Sequence, residues 1–197
     1  MAQVLLISSG IVHPSLKAQR HLAAIISSLP RVELHHRYGL RGLSALSSGR
    51  YAAAVLYYHR RNLSAPRLAA LERSVTASFK KQGRYTQLLG GSFAGHSPVQ
   101  EIRVRGGSAA DTQGGPSFDE VPELFSVRDE LYRHSFKAEV RVHFRAEDSE
   151  AREVPAVWSR TAGSGKVFYS VFGHTAASLA HPAVAGILRG GLKWLLQ

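Results

Sequence analysis

The strongest constraint on the fold is a rhythm in the first third of the chain, where short apolar runs alternate with stretches of helical period. Gln3-Val4-Leu5-Leu6-Ile7 is an apolar run closed by Ser8-Ser9-Gly10, the pattern of a buried strand running into a loop. From Pro14 to Leu29 the apolar positions Leu16, Leu22, Ile25, Ile26 and Leu29 recur at helical spacing, and Pro30 stops the helix. Val32 to His36 and Ala52 to Tyr58 read as a second and third strand, with one helical turn at Leu43 to Leu46 between them. This order asks for a parallel sheet, because parallel neighbours need crossovers and the crossovers cover both faces. Ser64 and Pro66 then open a helix carrying Leu68, Leu71, Val75 and Phe79. A fourth parallel strand is expected next, and none comes. The chain runs through Lys80-Lys81-Gln82-Gly83 into another short helix, Tyr85 to Leu89, stopped by Gly90-Gly91.

The second half is richer in strands: Val99 to Arg105, Leu124 to Val127, Ala138 to Phe144, Val154 to Ser159 and Lys166 to Phe172. Gly106 to Pro116 is a glycine-rich loop, Ala162-Gly163-Ser164-Gly165 is a hairpin turn, and a helix from about Pro182 to Leu196 closes the chain. At 197 residues this is expected to be one domain, residues 1–197. No apolar run approaches a membrane span, and the opening run is too short for a secretory signal, so a cytoplasmic protein with no membrane partner is expected.

Two features of composition narrow the chemistry. The chain has no cysteine, which removes disulfides, thiolate metal sites and any cysteine nucleophile. Its formal charge of +11 sits entirely in the first hundred residues, which hold 13 Lys and Arg against Glu33 and Glu72 alone. Such a field attracts anions, so one reading is a non-catalytic module that docks an anionic partner through its basic first half. The basic residues are scattered, and neither a helix-turn-helix nor an aromatic RNA platform is present, so nucleic acid is not the expected partner.

The chemistry-bearing side chains gather near strand ends. His13, His96 and His174 each fall after a strand or in a glycine-bearing loop, where open α/β sheets form their ligand crevice. Imidazoles there can act as acid and base or bind a metal. No two histidines have metal-pair spacing except the adjacent His35-His36, which a strand points to opposite faces, so neither a metal nor a cofactor is expected. Asp129-Glu130-Leu131-Tyr132-Arg133 packs acid, phenol and guanidinium into five residues, and Glu130 is suited to act as a base or to accept sugar hydroxyls. The competing reading is a surface ion pair with Arg128 or Arg133. Trp158 and Arg160 are placed to stack on and orient a flat ligand such as a sugar ring, although a core tryptophan is the commoner outcome. Gly165-Lys166 lacks the earlier glycine of a phosphate loop, and Gly91-Ser92-Phe93-Ala94-Gly95 has its serine misplaced for a nucleophile elbow.

In order along the chain, several segments carry a family resemblance. They are Val4-Leu5-Leu6-Ile7-Ser8, Val55-Leu56-Tyr57-Tyr58, Tyr85 through His96 (LLGG-x-F-x-GH) and Phe125 through Tyr132 (ending DELY). Pro155 through Arg160, and Gly165-Lys166-Val167-Phe168-Tyr169 leading to Gly173-His174, complete the series. Together they resemble the ThuA family of trehalose-utilisation proteins, whose fold is similar to that of class I glutamine amidotransferases. The resemblance implies a three-layer, flavodoxin-like, mostly parallel sheet with helices on both faces. It also implies that a central strand is deleted, since Ser74-Val75 runs directly into Thr76-Ala77-Ser78-Phe79, and that a homo-oligomer can form over the exposed edge. A second departure is Gly115-Pro116, where the family tends to show His-Pro. By resemblance, His96, Glu130, Tyr132, Arg160 and His174 line a pocket at the C-terminal edge of the sheet. The substrate implied is a small sugar, such as trehalose or a keto-disaccharide. Glutamine amide hydrolysis by a thiolate is excluded by the missing cysteine.

Overall fold

The computed structural model describes residues 1–9, 16–58, 64–74, 84–107 and 114–197. Its organising strand is β1 (Ala2–Ser9), which lies between β2 (Val32–Tyr38) and β3 (Ala53–Tyr58) and pairs parallel with both. Alternate β1 side chains enter different cores. Val4 and Leu6 join the main core with Leu22 and Ile26 of α1 (Leu16–Ser27), while Leu5 and Ile7 join a second core with Leu40, Leu43 and Leu46 of the 3₁₀ helix Leu40–Ser48. All four β1 residues are fully buried. A strand covered on both faces reads as an unbroken apolar run, which is why Val4-Leu5-Leu6-Ile7 carries no polar alternation. Leu71 of α2 (Ala65–Ser74) and Leu88 of α3 (Arg84–Leu89) complete the second core.

Parallel pairing ends there among the described residues, and the expectation of a mostly parallel sheet is corrected. The larger sheet has five strands, all antiparallel, in the order β10-β9-β8-β5-β6. These are β5 (Gln100–Gly106), β6 (Leu124–Asp129), β8 (Arg141–Glu147), β9 (Glu153–Ala162) and β10 (Gly165–Ser170). The antiparallel order follows from the short connections, since Gly163-Ser164 joins β9 to β10 with Gly163 at φ 60. Pro155 of β9 stands opposite Arg145 of β8, and the register slips beside that pair. A proline has no N–H to give the ladder, so an irregularity there is expected.

Two strands are absent from the sequence reading: β4 (Gly91–His96) and β7 (Tyr132–Phe136), which pair antiparallel. The short α4 (Ala176–Ala180), capped by Thr175 Oγ1 accepting Ser178 N–H at 3.0 Å, is also new. The gap in the sequence pattern after Ser74 falls on residues 75–83, outside the described residues, and so do Val75 and Phe79. Among the described residues β3 pairs with β1 alone. Among the described residues no helix is long and apolar enough to cross a membrane.

The closing helix α5 (Pro182–Leu195) packs Val184, Ile187 and Leu192 into the main core. Its approach to β10 depends on Gly191, where a Cβ would come within 2.3 Å of the Phe168 ring. Adding a methyl group to so close a contact forces a backbone or rotamer shift. Gly191→Ala is expected to cost about 1–3 kcal/mol. It should lower Tm by roughly 2–4 °C for each kcal/mol in a chain of this size, with exposed Lys193→Ala near wild type in the same thermal melts.

Candidate functional site

The C-terminal ends of β3, β4 and β6 and the loop after β10 converge, and four chemistry-bearing side chains meet there. Glu130 follows directly on β6, and its Oε2 lies 3.1 Å from His174 Nδ1 and 3.4 Å from His96 Nδ1. Tyr132 Oη is 3.2 Å from the same His174 nitrogen, and its ring meets His96 and His174 edge-on. Glu130 and His174 are largely enclosed, with 13% and 15% of their side chains exposed, whereas His96 is 46% exposed and forms the open side. The His96 ring also lies 2.8 Å from the Ser97 carbonyl through Nδ1.

A layer of buried groups holds this cluster. Asp129, the last residue of β6, is fully buried, and its two carboxylate oxygens accept separate backbone N–H groups. Oδ1 takes that of Glu130 at 3.0 Å, and Oδ2 takes that of Gly173 at 2.8 Å. The Tyr57 hydroxyl, from the end of β3, donates to the Gly173 carbonyl at 2.6 Å. Gly173 is therefore held at both its polar groups, and it has φ 124, a conformation that L side chains rarely adopt. Ser97 does the same on the other side. Its N–H donates to the Leu131 carbonyl at 3.1 Å, and its Oγ accepts Leu131 N–H at 3.0 Å. Burial, and then the Asp129 charge, push the Tyr57 phenol well above its ordinary range. Burial, then the charge and hydrogen bond of Glu130, do the same to Tyr132. Both phenols stay protonated and act as donors.

The remaining sequence candidates lie apart from the cluster. Trp158 is fully buried, donates its indole N–H to the Leu89 carbonyl at 2.9 Å and stacks on Tyr169 at 4.3 Å between ring centres. It is a core residue and has no face open to a sugar. Arg160 hydrogen-bonds the Gln87 and Thr161 carbonyls, so it ties α3 to β9, and burial lowers its guanidinium from the ordinary value. His13 lies outside the described residues. His35 and His36 part as a strand requires: His35 pairs with Glu33 at 3.0 Å, and His36 Nε2 lies 2.7 Å from Ser8 Oγ. Among the described residues no group of three His, Asp or Glu has the arrangement to hold a metal ion.

Sequence reasoning missed Asp129 as an anchor, and Tyr57, Ser97 and Phe93. Phe93 is 36% exposed and meets Tyr132 edge-on at 5.5 Å and His96 at 6.0 Å, so an aromatic ring does border the cluster. Its signal was present in the glycine-flanked run Gly91 to His96, whose reading as a loop hid the strand that presents it.

The fold and this cluster define a mixed α/β protein with a histidine–carboxylate–phenol site. The trehalose-utilisation family model, ThuA, matches residues 68–195, and the chain belongs to that family. No curated protein sequence matches the chain significantly. Among solved structures, a β-galactosidase from Bacillus circulans sp. alkalophilus superposes with a TM-score of 0.60 at 13% identity over 98% of this chain. A catalytic mutant of a GH42 β-galactosidase from G. stearothermophilus does so with a TM-score of 0.54 at 12% identity over 86%. The chain spans 30% and 27% of those two proteins, so the likeness is one of fold alone.

Behind the cluster, on β7, His134 is wedged edge-on against Trp158 and Tyr169, with Nε2 3.1 Å from Tyr169 Oη. Burial pulls its imidazole down to about 4, and a backbone hydrogen bond at Tyr132 opposes this weakly. Above about pH 6.5 the ring is neutral whether the chain is folded or unfolded. Between there and pH 4 the unfolded chain takes up a proton that the folded chain refuses, so stability falls as pH drops through this window. The loss is up to about 3 kcal/mol. Denaturant titrations from pH 7 to 4 should show a shallower decline for His134→Gln than for wild type.

Proposed function

We propose that the protein binds a small sugar, most aptly a keto-disaccharide, at the Glu130-centred cluster and moves a proton to or from it. The observation that supports this most is Glu130 Oε2 lying within reach of two imidazoles, one enclosed and one open to solvent. A carboxylate set between imidazoles can take a proton from a substrate and pass it on, which is general acid–base chemistry. For a keto sugar, Glu130 removes a proton from the carbon beside the carbonyl. The electron pair moves to the carbonyl oxygen, and Tyr132 and His174 donate hydrogen bonds to the enediolate that forms. Return of a proton to either carbon completes the exchange. Phe93 offers a face to a sugar ring, the part that sequence reading gave to Trp158. Membership of the trehalose-utilisation family supports the substrate class.

The finer fold assignment belongs with this reading. The parallel unit β2-β1-β3, covered by α1 on one face and the 3₁₀ helix on the other, corresponds to the nucleus of an amidotransferase-like three-layer domain. Such a domain collects its chemistry at the C-terminal strand ends.

The test is deuterium incorporation from D₂O into keto-disaccharides, followed by NMR, with thermal shift to report binding. Wild type should exchange a proton beside the carbonyl and gain Tm with the same sugar. Glu130→Gln should slow exchange by about 10²–10⁴-fold while keeping the Tm gain, and Phe93→Ala should weaken the gain. Exchange that is equal in wild type and Glu130→Gln, or no sugar-dependent Tm gain in wild type, contradicts the proposal.

A further inference from the structure

A cleft of about 310 Å³ lies away from the Glu130 cluster and is lined by Arg105, Arg141, His143 and Arg145 with Gly106 and Gly107. It sits at the far end of β5. Gln100 at one end of that strand pairs with Asp129, and Arg105 is five residues further on, about 17 Å away at strand spacing.

Three features make this cleft unusual for a sheet surface. Arg105 of β5 stands directly opposite Arg145 of β8 in the ladder, a like-charge pairing that costs stability at Cβ separations of about 5 Å. The register of β8 slips on both sides of Phe144, and a bulge re-aims the side chains around it. His143, at that irregularity, is buried, with Nε2 2.7 Å from Ser159 Oγ and its carbonyl accepting Gly107 N–H at 2.7 Å. The cleft floor is thus tied down while the arginines stay at the surface. Glu153 lies 3.5 Å from Arg145 Nη1, between two half-exposed side chains. Arg105 has no ion pair among the described residues.

The geometry points to a second binding site here, for a small phosphate-bearing molecule of at least two negative charges. Guanidinium forks match phosphate oxygens in pairs, and a multivalent anion between Arg105 and Arg145 turns their repulsion into attraction. The cleft is at the small end of the ligand-pocket range, which suits a diphosphate or a phosphorylated small metabolite. This site does not depend on the Glu130 reading, because none of its residues belongs to that cluster.

The experiment is calorimetric and thermal titration of the full chain with pyrophosphate, inorganic phosphate and a single-stranded oligonucleotide. Wild type should bind pyrophosphate saturably and more tightly than phosphate. Arg105→Gln and Arg145→Gln should each weaken pyrophosphate about tenfold or more, and Arg20→Gln, an exposed arginine outside the cleft, should not. Without ligand, Arg105→Gln should melt no lower than wild type, since it removes a repulsion, and this reading also shows that the variant folds. Equal pyrophosphate affinity across all variants overturns the site. So does an oligonucleotide that binds more tightly than pyrophosphate and is insensitive to Arg105→Gln. An Arg105→Gln protein that melts well below wild type overturns the premise of opposed charges.

Discussion

A carboxylate with no exposure to solvent is costly unless its oxygens are engaged, and Asp129 engages each with a backbone N–H, one from the next residue and one 44 residues away. One belongs to Glu130, the other to Gly173. The last turn of β6 and the loop before His174 are therefore fixed relative to one another by a single side chain. Tyr57 adds the end of β3 by holding the Gly173 carbonyl. Strands of a parallel unit and an antiparallel sheet, which share no ladder, are joined at this point by side chain to main chain contacts. These contacts, with those of Ser97 to Leu131 on the other side, set the relative placement on which the proposed acid–base chemistry of Glu130, His174 and Tyr132 would rest.

The same division explains how the site is exposed. Glu130 and His174 sit over the anchoring layer and are mostly enclosed, while His96 and Phe93, both on β4, stand at its rim. Strand β4 pairs with β7, whose first residue is Tyr132, so one short antiparallel pair, joined across the intervening β5 and β6, supplies three of the residues around the carboxylate. In the proposed function the sugar ring lies on this rim, and the enclosed pair holds the proton away from bulk water.

Much of this was legible in the sequence because local pattern and tertiary role agree. The run Val4-Leu5-Leu6-Ile7 is apolar on both faces and becomes the doubly covered strand. The helix from Leu16 and the final helix from Pro182 follow from apolar spacing and from proline signals. His96, Glu130, Tyr132 and His174 were singled out from loop position and motif order, and the structure places them in contact. The misses have a common physical cause. Gly91 to His96 and Tyr132 to Phe136 are stabilised by pairing with each other across the chain, and glycines in the first and polar residues in the second mask that partnership locally. Trp158 and Arg160 have the right chemistry for a ligand, but the Leu89 and Gln87 carbonyls that engage them belong to α3, which no pattern within β9 discloses. In the second half the hairpin turn at Ala162 to Gly165 announces the antiparallel pairing of β9 and β10, whereas the pairing of β5 with β6 and β8 has no signal in the strand patterns.

The measurement that tests the central claim most directly is a histidine-selective NMR titration of the intact protein with a panel of disaccharides and their keto derivatives. If the Asp129-anchored cluster is the sugar site, the ring resonances of His96 and His174 shift saturably with one sugar class, while those of His21 and His181 stay in place. Ring resonances of His96 and His174 that do not move with any sugar, or shifts confined to histidines outside the cluster, would contradict the account.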